Sequence, residues 1–393
     1  MKEYLSYDLM NYLGVPTPLV TYADISINGE PFGLYVMIEA VEEDFASRIF
    51  GADYGHLYKP ESMENAGGRG EGDGREWPKG EGGFAGIRPN ETMPDAGLWN
   101  AGPWNGGQTA GEMQLPAGGE FPGGGFGGSG GGANLIYTDD SITSYAQIFD
   151  NTVLKKTKTA DKQRVVTALK NLNEGTDLET YVDVDEVLRY FAANTALVNL
   201  DSYVSSLQHN YYLYEDGKGQ ISILPWDFNL AFGAFQSGSA SDAVNFPIDT
   251  PVSGVSLEDR PLIGKLLEVP AYKERYHAYL QEIVDGYFAS GRFAETIASL
   301  DDLIRSSVAA DPTAFSTYEE YKTAVAALEQ FGTLRAASIA GQLNGTIPST
   351  DVGQAVDSSS LIDASGFTLS DMGTMGGGRD QNNGNGMAFS PSF

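Results

Sequence analysis

Residues 209–233 read HNYYLYEDGKGQISILPWDFNLAFG. Two apolar runs, YYLY and QISIL, flank an EDGKG step rich in turn residues, which predicts an antiparallel hairpin. The second run ends on Pro225-Trp226-Asp227-Phe228, so a carboxylate stands at the end of a strand otherwise built for burial. With the turn centred on Gly217 and Lys218, antiparallel pairing brings Asn210 within about two residues of the position facing Asp227.

Upstream, Val187, Leu188, Phe191, Thr195 and Val198 recur at helical spacing and mark a buried helix face that runs out at Asn199-Leu200-Asp201. The order is therefore helix, loop opening on Asp201, Asn210, strand, turn, strand, Asp227. Protein-kinase catalytic cores use the same order, and the residue types suit the chemistry. Phosphoryl transfer needs positioning and cations to neutralise a triphosphate. Magnesium prefers oxygen ligands and takes one or two carboxylates. Asn210 and Asp227, at neighbouring strand ends, can reach one metal, and Asp201 can accept or orient a hydroxyl proton.

Plainer readings stand beside these. Asp227 can cap the turn after its strand, and Asp201, followed by Ser202, can cap a helix. His209 reads as a structural hydrogen-bonder, and Trp226 and Phe228 as core residues that fix the direction of Asp227. A hydrolase acid/base pair of Asp201 and Asp227 would need a sugar-sized cleft, for which no aromatic platform is evident.

At the N-terminus, Leu5, Leu9 and Tyr12 recur at helical spacing before Gly14 and Pro16, where a helix should stop. LVTYADISINGEPFGLYVMIEAV reads as two strands joined at Asn28-Gly29. The second strand ends near Glu39, and EEDFASRIF resumes a helical pattern. The expected organisation is an α+β unit over residues 1–62, a glycine-rich disordered insertion over 63–134, a helical region over 135–345 carrying hairpin 209–233, and a polar low-complexity tail over 346–393. The chain opens inside a helix rather than on a signal peptide, which points to a fragment or to a gene start placed at an internal methionine.

Composition narrows the options. About half of the 49 glycines lie in the 63–134 insertion, whose GxGxxG-like matches lack the flanking strand and helix that a phosphate-cradling loop requires. A formal net charge of −29, from 24 basic against 53 acidic residues, argues against nucleic-acid or anionic-membrane binding. The absence of cysteine excludes disulfides and thiolate chemistry, and three histidines leave little for a zinc site. No stretch reaches the ~18 apolar residues of a membrane span.

The motifs NGEPFGLYVMIEAVEEDF, GHLYKP and, above all, HNYYLY…ILPWDFNLAFG resemble those of the CotH family, the spore-coat-protein-H-like atypical kinases. ADKQRVVTALKNLNEG and ADPTAFSTYEEYKTAV are similar to segments of its Clostridia-type, glycine-insert members. The resemblance covers roughly residues 1–345. It implies an α+β, atypical protein-kinase-like fold with a truncated small N-terminal lobe and a mainly helical C-terminal lobe.

The implied activity is ATP- and Mg²⁺-dependent phosphorylation of serine in coat or surface proteins. The alternative is a non-catalytic scaffold of the spore coat or cell surface that keeps the fold. The compartment implied is the spore coat or cell surface, with any leader lying upstream. By position, Asp201 matches the catalytic-loop aspartate, and Asn210 and Asp227 match the metal-binding pair. Glu3 matches the helix glutamate, Glu39 the hinge side, and Lys59 is a substitute phosphate contact. Three departures are visible. Asn229 stands where the family has a second aspartate, the interval from Asp201 to Asn210 is longer than in ordinary kinases, and the strands expected before the first helix are missing.

Overall fold

The computed structural model describes residues 1–62 and 131–373. In chain order they form α1 (Lys2–Tyr12), β1 (Val20–Ile27), β2 (Glu30–Ile38), α2 (Glu43–Phe50), β3 (His56–Tyr58), α3 (Ala146–Phe149), α4 (Thr159–Glu174), α5 (Leu178–Tyr181), α6 (Val184–Leu197), β4 (Tyr211–Glu215) and β5 (Ile221–Pro225). There follow α7 (Ala240–Val244), α8 (Pro261–Leu267), α9 (Pro270–Glu282), α10 (Arg292–Ala310), α11 (Tyr318–Leu343) and α12 (Asp351–Val356), with a 3₁₀ turn at Leu369–Met372. The architecture is mixed α+β, as expected. Most of the glycine-rich insertion, residues 63–130, and the chain beyond Gly373 lie outside the described residues.

Local chemistry sets the element ends. β1 and β2 pair from Val20↔Ile38 to Ile27↔Glu30, with a bulge between Ile25 and Ser26. Their two-residue turn is Asn28-Gly29, with φ of 54° and 88°. That geometry suits Asn and Gly because both tolerate the left-handed region. The Asp183 side chain accepts the Glu186 amide at 3.1 Å and starts α6.

The second sheet has the order β3-β4-β5, all antiparallel. The hairpin register runs from Tyr211↔Pro225 to Glu215↔Ile221. Continued outward, it sets Asn210 opposite Trp226, one residue short of Asp227. Asp216 organises the turn by accepting the amides of Lys218, Gly219 and Gln220 at 2.7, 2.9 and 3.1 Å.

Side chains alternate across this sheet. Tyr211, Leu213, Ile221 and Ile223 enter the main core. Tyr212, Tyr214 and Leu224 enter a second cluster with Val41, Phe45, Leu57 and Leu154. Both faces of the hairpin are therefore buried, which explains why its strands read as apolar runs rather than strict alternation.

Two domain expectations need correction. β3 belongs to the N-terminal segment yet pairs with β4, His56 opposite Glu215, so residues 1–62 do not close on themselves. They join residues 131–373 in one compact unit. The expected tail also starts too early at 346. Ala364, Phe367 and Met372 are buried in the main core, and Asn245 clasps the Ile362 backbone through bonds of 2.9 and 3.0 Å. A few apolar anchors hold a segment whose average composition is polar. Among the described residues, no helix is long and apolar enough to cross a membrane.

Candidate functional site

The site grows from the end of α6 and the loop that leads to β4. Arg335 of α11 is fully buried, and its guanidinium donates to the carbonyls of Thr195 (2.9 Å), Ala196 (3.4 Å), Val244 (2.9 Å) and Phe246 (2.7 Å). Two of these acceptors are end carbonyls of α6, where the helix carries partial negative charge. Burial lowers the Arg335 pKa to about 9.

Arg260, also buried, donates to the carbonyls of Tyr203 (2.7 Å) and Ser205. Among the described residues neither arginine has a carboxylate partner. Each spends its charge on backbone, one before and one after Asp201. The loop carrying Asp201 is thus braced on both sides.

Within that loop Asp201 is nearly buried and holds two side-chain bonds. His209 Nε2 lies 2.6 Å from Oδ1, and Asn210 Nδ2 donates to Oδ2 at 3.0 Å and to the Asp201 carbonyl at 3.0 Å. Because the Asn210 amide nitrogen is spent on Asp201, its oxygen is the atom left to accept or to ligate.

Asp227 follows β5 with φ of 54°, and Asn210 precedes β4 with φ of 55°. The left-handed region costs least for Asn and Asp among residues with a Cβ, and such strain persists where surrounding packing imposes it. That packing is visible on either side of Asp227. The Trp226 ring meets Tyr212 edge-on at 5.5 Å, and the buried Phe228 packs against Tyr7 with ring centroids 6.0 Å apart. The chain then returns to α6, where the Phe232 and Gly233 amides donate to Leu197 and Val198 at 2.6 and 3.1 Å.

The Asp227 carboxyl is pushed above the usual carboxylate range, first by burial and then by the charge of Asp201. His209 and Lys59 offset part of this from nearby. Among the described residues no Lys, Arg or His forms an ion pair with Asp227. Two carboxylates that repel each other beside a free amide oxygen make a donor set of hard oxygens, which suits Mg²⁺. No group of three His, Asp or Glu among the described residues is assembled to hold a metal by itself. A cation here would rely on water or substrate oxygens for its remaining ligands.

The other sequence-derived residues are placed differently. Glu3 is buried behind the Asp227-Phe228 step and accepts the Phe228 amide at 3.1 Å. Burial, and then the charge of Asp227, pushes its carboxyl up to about 7. Glu3 thus ties α1 to the site from behind. Glu39 is drawn away: its carboxylate takes the Arg48 guanidinium and the Leu19 amide, the latter at 3.0 Å. Lys59 pairs with Glu61 at 3.1 Å and lies 5.8 Å from the centre of the Trp226 ring, which keeps its charge near Asp227.

A cavity of about 560 Å³ also touches α1, lined by Tyr4, Tyr7, Ile49, Phe50 and Glu186 among others. It contains none of Asp201, Asn210 and Asp227, so the chemistry-bearing cluster and this cavity are different places. Two contributors escaped the sequence reading. Tyr7, four residues after Glu3, shares its helix face, a spacing that could have found it. Arg335 sits alone among apolar residues in FGTLRAASIAGQL, a signal that a buried charge needs local acceptors.

The family described as CotH kinase protein matches residues 1–88 and 127–339. The chain is also similar to inner spore coat protein H of Bacillus subtilis (strain 168), with 20% identity over 315 residues. That alignment covers 79% of this chain and 66% of the relative, so the chain spans slightly less than two thirds of the relative's length.

Proposed function

This chain belongs to the CotH kinase protein family, and on that premise we propose that it transfers the γ-phosphoryl group of ATP to serine hydroxyls of partner proteins. The observation that carries the reading is the carboxylate pair Asp201 and Asp227 with the Asn210 amide. The pair is held on a doubly buried hairpin and a braced loop, and among the described residues no ion pair with Asp227 relieves its repulsion. When bound, Mg²⁺ would neutralise triphosphate charge. Asp227 and the Asn210 oxygen are the groups that would hold it.

Asp201 orients the acceptor serine and receives its proton as the bond from serine oxygen to phosphorus forms. The bond from phosphorus to the bridging β-oxygen breaks, and ADP leaves with those electrons. Lys59, lying over Trp226 with its charge felt by Asp227, is the basic side chain we assign as a phosphate contact. By analogy with the relative's name, we place the protein in the spore coat, with coat or surface proteins as acceptors.

The test is incorporation of labelled phosphate from γ-labelled ATP with Mg²⁺ into a serine-rich acceptor. Transfer by the wild type and none by Asp227→Ala supports the reading. Mg-ATP binding without transfer would favour a scaffold that keeps the site but not the reaction.

A further inference from the structure

We infer that His209 is the positioning residue of this site: its Nε2–H, together with the Asn210 amide, locks the plane of the Asp201 carboxylate toward the acceptor hydroxyl. The inference rests on the phosphotransfer reading for its kinetic part and on the geometry for its structural part.

A carboxylate anchored through one oxygen still swings about its terminal torsion, which has broad wells. Here the two oxygens have separate anchors, His209 Nε2 at 2.6 Å on Oδ1 and Asn210 Nδ2 at 3.0 Å on Oδ2. Anchored through both oxygens, the carboxylate has a fixed plane. Each oxygen keeps a further lone pair with which to meet a hydroxyl. The short Nε2 contact to an acceptor-only carboxylate places a hydrogen on Nε2, so His209 donates and does not take the serine proton.

Two adjacent side chains reach one carboxylate only if the backbone turns sharply between them. The turn is present: Gln208 and Asn210, on either side of His209, both have φ of 55°. Gln lacks the short polar side chain that eases the left-handed region for Asn and Asp, so this conformation costs energy and is held by its surroundings. The backbone of Tyr203 and Ser205 in the same loop is gripped by Arg260, which supplies such a hold. A histidine serving only to stabilise the fold would not need two left-handed residues to aim it at the one loop carboxylate.

During transfer the serine proton passes to Asp201 as the new bond to phosphorus forms and ADP departs, while His209 keeps its own proton. His209 acts through Asp201 and touches neither substrate. Losing it frees the carboxylate to rotate, which lowers turnover and leaves nucleotide binding intact.

The chain has only three histidines, His56, His209 and His277, so the ¹⁵N-histidine NMR spectrum of the full chain has three imidazoles to assign. We expect a protected Nε2–H signal that is absent in His209→Gln and is lost or strongly shifted in Asp201→Asn. In transfer assays His209→Ala should lower kcat about 10–100-fold, the range typical of lost supporting contacts, with KM for ATP unchanged. His209→Gln, which keeps an N–H donor, should recover part of it.

An imidazole signal indifferent to Asp201→Asn overturns the inference. So does a His209→Ala variant with unchanged kcat, or one whose KM for ATP rises in step with lost thermal stability. A wild type that transfers no phosphate overturns the phosphotransfer reading instead, and the imidazole signal, which needs no nucleotide, then decides the His209–Asp201 coupling alone.

Discussion

The described residues contain two antiparallel hairpins, and they differ in what surrounds them. β1–β2 turns on Asn28-Gly29 and leaves Ile25, Ile27, Phe32 and Met37 exposed. β4–β5 turns on the Asp216 side chain and buries all five residues of each strand. Only the second ends on a strained carboxylate. The contrast teaches that a left-handed aspartate facing a second carboxylate needs packing on both faces of the strand that carries it, because strain and charge repulsion must both be offset nearby.

The largest effect should come from the carboxylate itself. Asp227→Asn should reduce phosphate transfer by at least about 10³-fold, the scale of losing a principal electrostatic group. It should also raise thermal stability at pH 7. The folded-state pKa of Asp227 is raised, so the folded protein binds its proton more tightly than the unfolded chain. Ionised Asp227 therefore weakens the fold as pH rises past the unfolded value, and a neutral amide removes that cost. A variant that is both inactive and less stable at pH 7 would break the contrast.

Next comes the brace. Arg335→Met removes the guanidinium donor from four buried carbonyls, of which Thr195 and Phe246 keep a second one, and should cost about 3 kcal/mol in urea unfolding. Nucleotide binding should weaken with it, since α6 ends at the loop that carries Asp201.

Matched turn substitutions sharpen the comparison further. Asp216→Ala removes three amide bonds and should cost about 1–2 kcal/mol. Asn28→Ala forces a Cβ residue with no hydrogen-bonding side chain into the left-handed region and should cost about 1 kcal/mol. By calorimetry, only the first should also weaken Mg-ATP binding.

The smallest effect is a pH slope. Glu186, beside Ser222 of β5, has its carboxyl pushed up to about 7, chiefly by burial. A raised carboxyl adds stability that is fully present below its unfolded pKa and is lost as pH climbs to about 7. Wild type should therefore lose part of its urea midpoint between pH 5 and pH 8, and Glu186→Gln should lose less.

Much of this was legible locally. Both hairpins, the stop of α1 near Gly14 and the α6 pattern rest on short-range periodicity and turn chemistry, which a sequence displays directly. The juxtaposition of Asn210 and Asp227 followed from counting residues across one turn. What was not legible depends on distant contacts. The pairing of His56 with Glu215, the docking of Phe367 and the grip of Arg335 on α6 join segments far apart in the chain. Glu39 reads as a hinge-side residue, but nothing local marks Arg48 as its partner. His209 does act as a hydrogen-bonder, but its partner Asp201 was not legible, because the left-handed Gln208 and Asn210 leave no mark in the letters Gln and Asn.

The central claim is that the end of the β4–β5 hairpin holds magnesium and nucleotide. Isothermal titration of the full chain with Mg-ATP, wild type against Asp227→Ala, tests it most directly. The wild type should show saturable binding that needs Mg²⁺ and vanishes in the variant. Equal heats and equal affinity for the two proteins would contradict it.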